Sequence, residues 1–295
     1  MAKTNKVIIS VCLCGAGTKK AQAPTVPYTP EEISDQAIAC AKAGAAVAHI
    51  HVREDKLVDG EMQIGYKSMS LAKFTETVEL TRKKCAEAGA DIVLNLTTSG
   101  GEYEDEKRLQ HLGALKPEMC SFDPGTLNWS NSYIFENSPR FLNKLGQEVV
   151  AHSVKPEFEI FDTGFIDSAN YYIEKHGIPG DPYYQFIMGV GGAMPGTVEN
   201  LSFLVGKLPK NAIWSVSGIG KAHMPMMLAG LALGCDGLRV GLEDNILYGK
   251  DANGQKIIAT NLLLVERAVK LIALAGREVA TAEDARGILG LTKHA

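Results

Sequence analysis

Residues 29–52 read TPEEISDQAIACAKAGAAVAHIHV and contain one full unit of the pattern that decides the fold. Thr29 is a suitable cap for a helix over residues 30–43, because proline and two glutamates follow it in the first turn. Gly44 ends that helix, and the apolar residues 46–52 predict a buried strand. The stretch is therefore a helix and a strand joined by a short turn.

The same alternation recurs along the chain. Short apolar or β-branched runs predict strands at residues 7–14, 46–52, 91–97, 119–122, 157–161, 184–189, 213–217 and 237–241. Helical patterns lie between most of them, such as residues 71–88, which end before Gly89. This alternation predicts parallel βαβ units, and eight strands predict closure into an α/β (β/α)8 TIM barrel. A doubly wound open sheet is the alternative, although it usually has fewer strands.

Two further helices are predicted after the eighth strand. Residues 259–275 form a long apolar-faced pattern, and residues 282–289 follow Thr281 as a possible cap. This short C-terminal helical extension either completes the barrel or packs on a neighbouring subunit. Because the chain has no internal repeat, low-complexity tract or linker, we expect residues 1–295 to form a single (β/α)8 barrel domain.

The composition is that of an ordinary globular enzyme, with 45% hydrophobic and 22% charged residues. A net charge of -4 and scattered basic residues argue against a nucleic-acid partner. No apolar run reaches the ~20 residues that span a bilayer, and the N-terminal residues do not resemble a signal peptide. The six cysteines are scattered, as expected in a reducing compartment. We therefore expect a cytoplasmic protein with no membrane partner.

His49 and His51 stand two residues apart at the end of the second predicted strand. Side chains alternate along a strand, so both imidazoles point to the same face. In a barrel that face is the interior, near the end where catalytic groups collect. Two imidazoles with nothing to bind would be costly to bury. A metal site is therefore favoured over the alternative of two hydrogen-bonded polar residues at a strand end.

A catalytic zinc site needs a third protein ligand and one open position. Glu243 and Asp244 follow the eighth strand, where the barrel opens. In a closed barrel the first strand lies between the eighth and the second, so Glu243 is a plausible ligand of the same ion. The alternative is that the two acids cap the following helix. Cys12 and Cys14 are also two residues apart on a strand and could ligate a softer metal, but the favoured interpretation is that they fill the barrel as small apolar side chains.

Arg239 is expected to point into the barrel, where a guanidinium needs a counter-charge. Asp244 and Glu159 are its natural partners. Glu157 and Glu159 share one face of the fifth strand, and if that face is the interior, Glu159 is nearer the carboxyl end. Either carboxylate could orient a metal-binding histidine through its other ring nitrogen.

Two Gly-rich loops, residues 189–197 and 217–221, follow the sixth and seventh strands. Glycines allow backbone N–H groups to approach an anion closely, and late loops of this fold often bind phosphate. A large phosphorylated cosubstrate is suggested, while tight turns that simply need glycine are the alternative. The candidate anion-binding residues are Gly191, Gly192, Gly218, Gly220, Lys221 and His223.

These residues belong to an ordered series of motifs that resembles the β-keto acid cleavage enzyme family over nearly the whole chain. The motifs are CGAGTKK, TPEEI, AHIHVRED, LNLTTSGG, KPEMCSFDPGTLNW, PEFEIFDTGFID, GVGGAMPG, WSVSGIGKAHMP and GLRVGLEDN. Such a series is far more specific than any single motif. The resemblance implies a (β/α)8 fold, a homotetramer, and a reaction of a β-keto acid with acetyl-CoA that gives acetoacetate and a new acyl-CoA.

The resemblance also implies the roles of individual residues. It places one Zn2+ per subunit on His49, His51 and Glu243, and it makes Arg239 and Asp244 a dyad linked to base chemistry. An arginine base is a demanding proposal because the pKa of arginine exceeds about 12, so the proton acceptor stays open. The other residues implied at the catalytic or substrate and CoA-binding site are Glu159, Thr97, Thr98, Ser121 and Thr126.

Position 17 departs from the family pattern. Members that cleave 3-keto-5-aminohexanoate carry a glutamate in the first βα loop, which pairs with the substrate's ammonium, whereas Gly17 stands at the matching position here. A primary ammonium would have no partner, so we expect a different β-keto acid. Neutral, anionic and quaternary-ammonium side chains all stay open.

Two other functions are compatible with these residues. One is a CoA-independent metal-dependent aldolase or hydrolase on the same barrel. The other is a non-catalytic metal or acyl-CoA binding protein, which would have no need for Arg239 and Asp244 beside an open metal position. Thermal stabilisation of the protein by coenzyme A would count against the CoA-independent enzyme. Bound metal without turnover of any β-keto acid would favour the binding protein.

Overall fold

The computed structural model describes residues 4–292, which contain a closed barrel of eight parallel strands. The strands are β1 (Lys6–Cys12), β2 (Val47–Ile50), β3 (Val93–Leu96), β4 (Met119–Phe122), β5 (Lys155–Ile160), β6 (Tyr183–Met188), β7 (Ile213–Gly218) and β8 (Gly237–Val240). Each strand pairs with the next, and β8 returns to β1, where Leu238 lies opposite Ile9. The predicted TIM barrel is confirmed, and the open sheet is excluded.

Helices surround the barrel between its strands. They are α1 (Pro30–Ala43), α2 (Leu71–Ala88), α3 (Asp105–Leu115), α4 (Pro139–Ala151), α5 (Thr163–His176), α6 (Val198–Val205), α7 (His223–Ala232), α8 (Asn261–Leu274) and α9 (Ala282–Leu289). The bounds of α1, α2 and α9 agree with the prediction, and Thr29 and Thr281 cap their helices as expected. Within residues 4–292, no helix combines the length and the hydropathy that crossing a lipid bilayer requires.

Helix α9 closes the amino-terminal end of the barrel. Its Ala285 and Leu289 belong to an apolar cluster with side chains from the barrel strands, among them Ile8, Val47 and Tyr183. Arg286 fixes the helix in place through ion pairs with Glu118 and Asp91, each 2.5 Å long. The C-terminal extension therefore completes the barrel, which is one of the two roles expected for it.

The barrel interior above this apolar layer is polar. The buried polar side chains of its strands include Ser10, His49, Asn95, Glu157, Gln185, Ser215 and Arg239. Burying polar groups costs free energy unless they bond to one another. A polar interior toward the carboxyl ends of the strands therefore points to chemistry at that end.

Antiparallel hairpins enlarge three of the loops at that end of the described chain. They pair Val52–Val58 with Glu61–Ser68, Leu127–Trp129 with Tyr133–Phe135, and Leu247–Lys250 with Lys256–Ile258. The sequence analysis did not predict them. The predicted second strand, residues 46–52, overlaps the first hairpin because the chain leaves the barrel at His51 and pairs locally from Val52 onward.

Candidate active site

A cleft of about 280 Å³ opens to solvent at the carboxyl ends of the strands. Gly17 and its neighbours form one part of its wall, and the aromatic hairpin that carries Trp129 and Tyr133 forms another. His49 and His51 lie among the residues that line it. Active sites of this fold are found at this end of the barrel. The cleft is therefore the candidate active site.

The three predicted metal ligands meet in this cleft. The Nε2 atom of His49 lies 3.7 Å from Oε2 of Glu243, and Nε2 of His51 lies 3.3 Å from its Oε1. Two ligands of a tetrahedral zinc ion, each at about 2.1 Å, are roughly 3.4 Å apart. Oε2 of Glu243 is buried and has no hydrogen-bond partner within residues 4–292. The donor set and its spacing fit a catalytic zinc centre.

The turn after β8 brings Glu243 to the histidines. Gly241 has a φ of 146°, and a Cβ atom there would lie 2.1 Å from the backbone oxygen of Cys12, so glycine is required. Two residues later, the Glu243 N–H donates to the same Cys12 oxygen at 3.2 Å. This close approach to β1 lets the carboxylate reach across that strand to His49 in β2 and to His51 just after it.

Two of the candidate ligands, His49 and Glu243, are in the protonation states that bind a metal. Burial lowers the pKa of His49 to about 3, against the opposing effect of Glu243. Burial raises the pKa of Glu243, but His51, Arg239 and His49 outweigh it and hold this pKa well below its usual value. A neutral imidazole and an ionised carboxylate are the forms that a metal ion requires.

Arg239 connects the acids around this trio. Its Nη1 donates to Glu159 at 2.8 Å, and its Nε and Nη2 donate to the two oxygens of Asp244 at 3.0 and 3.1 Å. Its Nη2 also lies 3.2 Å from Oε1 of Glu243. Ser217 donates to Asp244 at 2.6 Å. Both partners expected for Arg239 are therefore present, and the guanidinium is held on three sides.

The surroundings of Arg239 keep it charged. Burial alone would lower its pKa, but Asp244 and the other nearby acids raise that pKa well above its usual value. A general base must be able to lose its proton in the resting state, and this arginine does not. Arg239 therefore offers a fixed positive charge beside the cleft.

Asp123 is a site residue that the sequence analysis missed. It follows β4, lines the cleft and is 3% exposed. Burial and the neighbouring Glu159 raise the pKa of Asp123 well above its usual value, and the two carboxyl groups are hydrogen-bonded. Burial also raises the pKa of Glu159, against the influence of Arg239. One proton held between the two carboxyl groups would account for both raised pKa values. An acid directly after a barrel strand, in SFDPG, was the available signal.

The two predicted threonines have different surroundings. Thr97 lines the cleft together with Ser121, and its hydroxyl is 2.9 Å from that of Ser99. Thr98 is fully buried, and its hydroxyl donates to the backbone oxygen of Ser121 at 2.9 Å. Of the two hydroxyls, the one of Thr97 lies at the cleft, because neighbouring residues of an extended segment point in opposite directions.

The first Gly-rich loop packs against the aromatic hairpin. The Ser130 N–H donates to the Gly191 oxygen at 2.7 Å, and a Cβ atom on Gly192 would lie 1.9 Å from the Asn128 oxygen. These contacts indicate that Gly191 and Gly192 are needed for close packing of the loop against the hairpin. Thr126 accepts a hydrogen bond from the backbone of Asn137 at 2.9 Å.

The second Gly-rich loop lies beside β7. The Gly218 oxygen accepts a hydrogen bond from Asn245 at 2.9 Å, and Asn245 also lies 2.9 Å from Nδ1 of the buried His223. Gly220 and Lys221 are exposed. Among the described residues, neither Gly-rich loop supplies a side chain to the wall of the cleft. If these loops bind CoA, they would therefore contact the part of the CoA molecule that extends outside the cleft.

Gly17 lies in the wall of the cleft, and a Cβ atom there would meet no other atom within 4 Å. Its loop is held by Thr18, which donates to the Leu242 oxygen at 2.7 Å. Arg53, also missed by the sequence analysis, donates to the backbone oxygens of Cys14 and Thr18 at 2.8 and 3.1 Å. Position 17 is thus a firmly placed part of the wall with open space in front of it.

The fold and the cleft define a TIM-barrel protein with a candidate metal centre at the ends of its strands. The chain belongs to the β-keto acid cleavage enzyme family, whose model matches residues 6–291. The resemblance noted in the sequence is thereby confirmed.

Named relatives match along their whole length. A 3-keto-5-aminohexanoate cleavage enzyme of Acetoanaerobium sticklandii is 36% identical over 98% of this chain and 99% of its own. A 3-dehydrocarnitine:acetyl-CoA trimethylamine transferase of Rhizobium meliloti is 33% identical over 100% of this chain and 99% of its own. The apo structure of ObcA has a TM-score of 0.79 at 21% identity, covering 91% of this chain and 66% of the longer ObcA chain. The ObcA likeness supports the fold alone.

Proposed function

We propose that the chain is a zinc-dependent acyltransferase that reacts a β-keto acid with acetyl-CoA. The C2–C3 bond of the keto acid and the thioester C–S bond of acetyl-CoA both break, and C2 bonds to the acetyl carbonyl carbon to form acetoacetate. The CoA sulfur bonds to the acyl group that C2 has left, which gives the new acyl-CoA. The observation that carries the proposal is the meeting of His49, His51 and Glu243 in an open cleft beside Arg239.

The metal and the side chains would divide the chemistry. When bound by His49, His51 and Glu243, a zinc ion would act as a Lewis acid that favours the enolate of a β-keto acid. Arg239 supplies a fixed positive charge near the developing negative charge. The raised pKa values of Asp123 and Glu159 make this carboxyl pair the best candidate for taking a proton from C2 and returning it.

The use of acetyl-CoA is supported by the name of the Rhizobium meliloti relative. Ser121 lines the cleft itself. The candidates for contacts with the part of CoA that extends outside the cleft are Gly191, Gly192, Gly218, Gly220, Lys221 and Thr126. Because Gly17 provides no carboxylate, we propose a β-keto acid without a primary ammonium group.

We also propose that residues 1–295 form one barrel domain, that the domain assembles as a homotetramer, and that the protein is cytoplasmic. Exposed apolar side chains on the hairpins, such as Leu57, Ile64 and Ile134, support assembly. All six cysteines are buried free thiols, which supports a reducing compartment. Light scattering coupled to size exclusion tests the tetramer, because a monomer at micromolar concentration would contradict it.

The test of the activity is a panel of β-keto acids assayed for acetoacetate release with acetyl-CoA. His49→Ala is expected to lose activity by at least about 100-fold through loss of a ligand, whereas His152→Ala, a change outside the cleft, keeps it. Normal turnover by His49→Ala would contradict the proposal. Cleavage without acetyl-CoA would favour the aldolase or hydrolase, and bound metal without any turnover would favour a binding protein.

A further inference from the structure

We infer that Asn95, anchored by Glu157, is a positioning residue that fixes which ring nitrogen of His49 faces the cleft. The inference rests on the metal site of the proposed function. It concerns the orientation of a ligand before any metal arrives, and it assigns a task to two buried residues that the proposed chemistry does not use.

Strand pairing places Asn95 directly beside His49. The two residues are opposite each other in the parallel register of β2 and β3. His49 is 2% exposed and Asn95 is completely buried, and their side chains interact. Solvent is therefore not available to Nδ1 of His49 or to Oδ1 of Asn95 as a substitute partner.

Glu157 sets the orientation of the Asn95 amide. The Nδ2 atom of Asn95 donates to Oε1 of Glu157 at 2.9 Å. An amide has its donor nitrogen at one side and its acceptor oxygen at the other. With the nitrogen side of the amide directed at Glu157, Oδ1 is the acceptor that Asn95 offers to His49.

The unpaired atoms of the two side chains are complementary. Among the described residues, Nδ1 of His49 and Oδ1 of Asn95 are both buried without a hydrogen-bond partner, while Nε2 of His49 lies on the side of Glu243. Buried polar atoms are nearly always paired. The pairing requires the proton of the neutral ring to be on Nδ1, which leaves the lone pair of Nε2 free for a metal ion.

This arrangement revises the sequence-based interpretation that Glu157 or Glu159 orients a histidine. Glu159 is hydrogen-bonded to Arg239, and Glu157 acts on His49 through Asn95. Groups that orient metal-binding histidines typically change metal affinity roughly 10- to 100-fold when they are removed.

The test uses variants that separate orientation from packing. Asn95→Leu keeps the volume and removes the acceptor, whereas Glu157→Gln keeps an oxygen that accepts from Asn95. Thr98→Val is the matched control, because Thr98 is buried near the end of the same strand and bonds to Ser121 instead. Circular dichroism and thermal unfolding of the metal-free proteins establish that each variant is folded.

Two measurements follow. Zinc affinity is obtained by competition with a chelator, and the side-chain ¹⁵N shifts of His49 in the metal-free protein report which nitrogen carries the proton. For Asn95→Leu we expect affinity to fall roughly 10- to 100-fold and the single Nδ1–H form to give way to a mixture. Glu157→Gln and Thr98→Val are expected to keep the wild-type values within about threefold, below that range.

A folded Asn95→Leu protein with wild-type zinc affinity and an unchanged Nδ1–H form would overturn the inference. The same result would show that Nδ1 uses another acceptor, such as the second oxygen of Glu157. Failure of the proposed metal site gives a different result: wild type would bind no zinc, or His49→Ala would bind it as tightly, while the ¹⁵N shifts still depend on Asn95.

Discussion

Arg239 binds Asp244 through two parallel hydrogen bonds, Nε to Oδ2 at 3.0 Å and Nη2 to Oδ1 at 3.1 Å. The remaining terminal nitrogen, Nη1, bonds to Glu159. This planar fork depends on the guanidinium shape, which an ammonium group does not reproduce. Asp244 therefore fixes the position of the positively charged guanidinium beside Glu243.

Arg239→Lys is expected to lower kcat by about 100-fold, because a point charge cannot bond to Asp244 and Glu159 in the same geometry. Removing a partner from a buried ionic network also destabilises the fold by about 3 kcal/mol. Steady-state kinetics and denaturant unfolding measure the two effects. Arg140→Lys, a change to a largely exposed side chain, is the control. Retention of kcat within twofold, beside the control, would rule out this role for Arg239.

Asp123→Asn is expected to lower kcat by about 100-fold if the carboxyl pair moves the substrate proton. The variant keeps the size of the side chain and removes its ionisation. Ser99→Ala, a change to another residue of the cleft wall that bears no charge, is the comparison. Equal kcat values for Asp123→Asn and wild type across the pH range would exclude Asp123 from proton transfer.

The same substitution has a consequence for stability. The pKa of Asp123 is higher in the folded state than its usual value of 3.8, so protonation favours folding. The stability of wild type is therefore fully present below that value and declines as pH rises toward the folded-state pKa. Asp123→Asn does not titrate, and its melting temperature relative to wild type should increase from pH 4 to pH 8. A constant difference between the two melting temperatures would contradict the raised pKa.

Gly17→Glu is expected to give activity toward a β-keto acid that carries a primary ammonium group. The backbone tolerates a side chain at this position, and the space in front of it is open. A carboxylate partner worth about 1.4 kcal/mol would lower KM by about tenfold. Gly17→Gln has the same size without the charge and should show no such gain. If both variants improve equally, charge recognition at position 17 is wrong.

The neighbouring threonines should respond differently to the same change. Thr97→Val removes a hydroxyl from the cleft and is expected to lower kcat/KM by about tenfold, the effect of about 1.4 kcal/mol. Thr98→Val removes a bond to the Ser121 backbone and should destabilise the fold by about 1 kcal/mol while leaving kcat unchanged. Kinetics and thermal unfolding of both variants make the comparison. Loss of kcat in Thr98→Val alone would reverse these assignments.

Removal of metal by a chelator is expected to abolish activity, because the Lewis acid that favours the enolate is lost. Added Zn2+ should restore activity by binding again to the free ligands. Elemental analysis of the purified protein, together with the chelation series, measures the dependence. Magnesium serves as the control ion, since it prefers oxygen ligands over imidazole. Full activity of a protein shown to be metal-free would remove zinc from the proposal.

Much of the fold was predictable because it is encoded locally. The cap at Thr29, the helix over residues 30–43 and the strand before His49 follow from the order of polar and apolar residues within one short stretch. Alternation along that strand also predicted that His49 and His51 point the same way, and both line the cleft. The hairpins were not predictable in this way, because their strands are short and polar or carry exposed apolar residues.

By itself, the sequence determined the eight-strand alternation, the paired histidines and the motifs of the β-keto acid cleavage enzyme family. Only the tertiary structure decided that Glu243 reaches across β1, that Asp123 lies beside Glu159, and that Asn95 stands beside His49. The reason is physical: local patterns depend on residues a few positions apart, whereas these contacts join distant residues through the register and closure of the barrel strands.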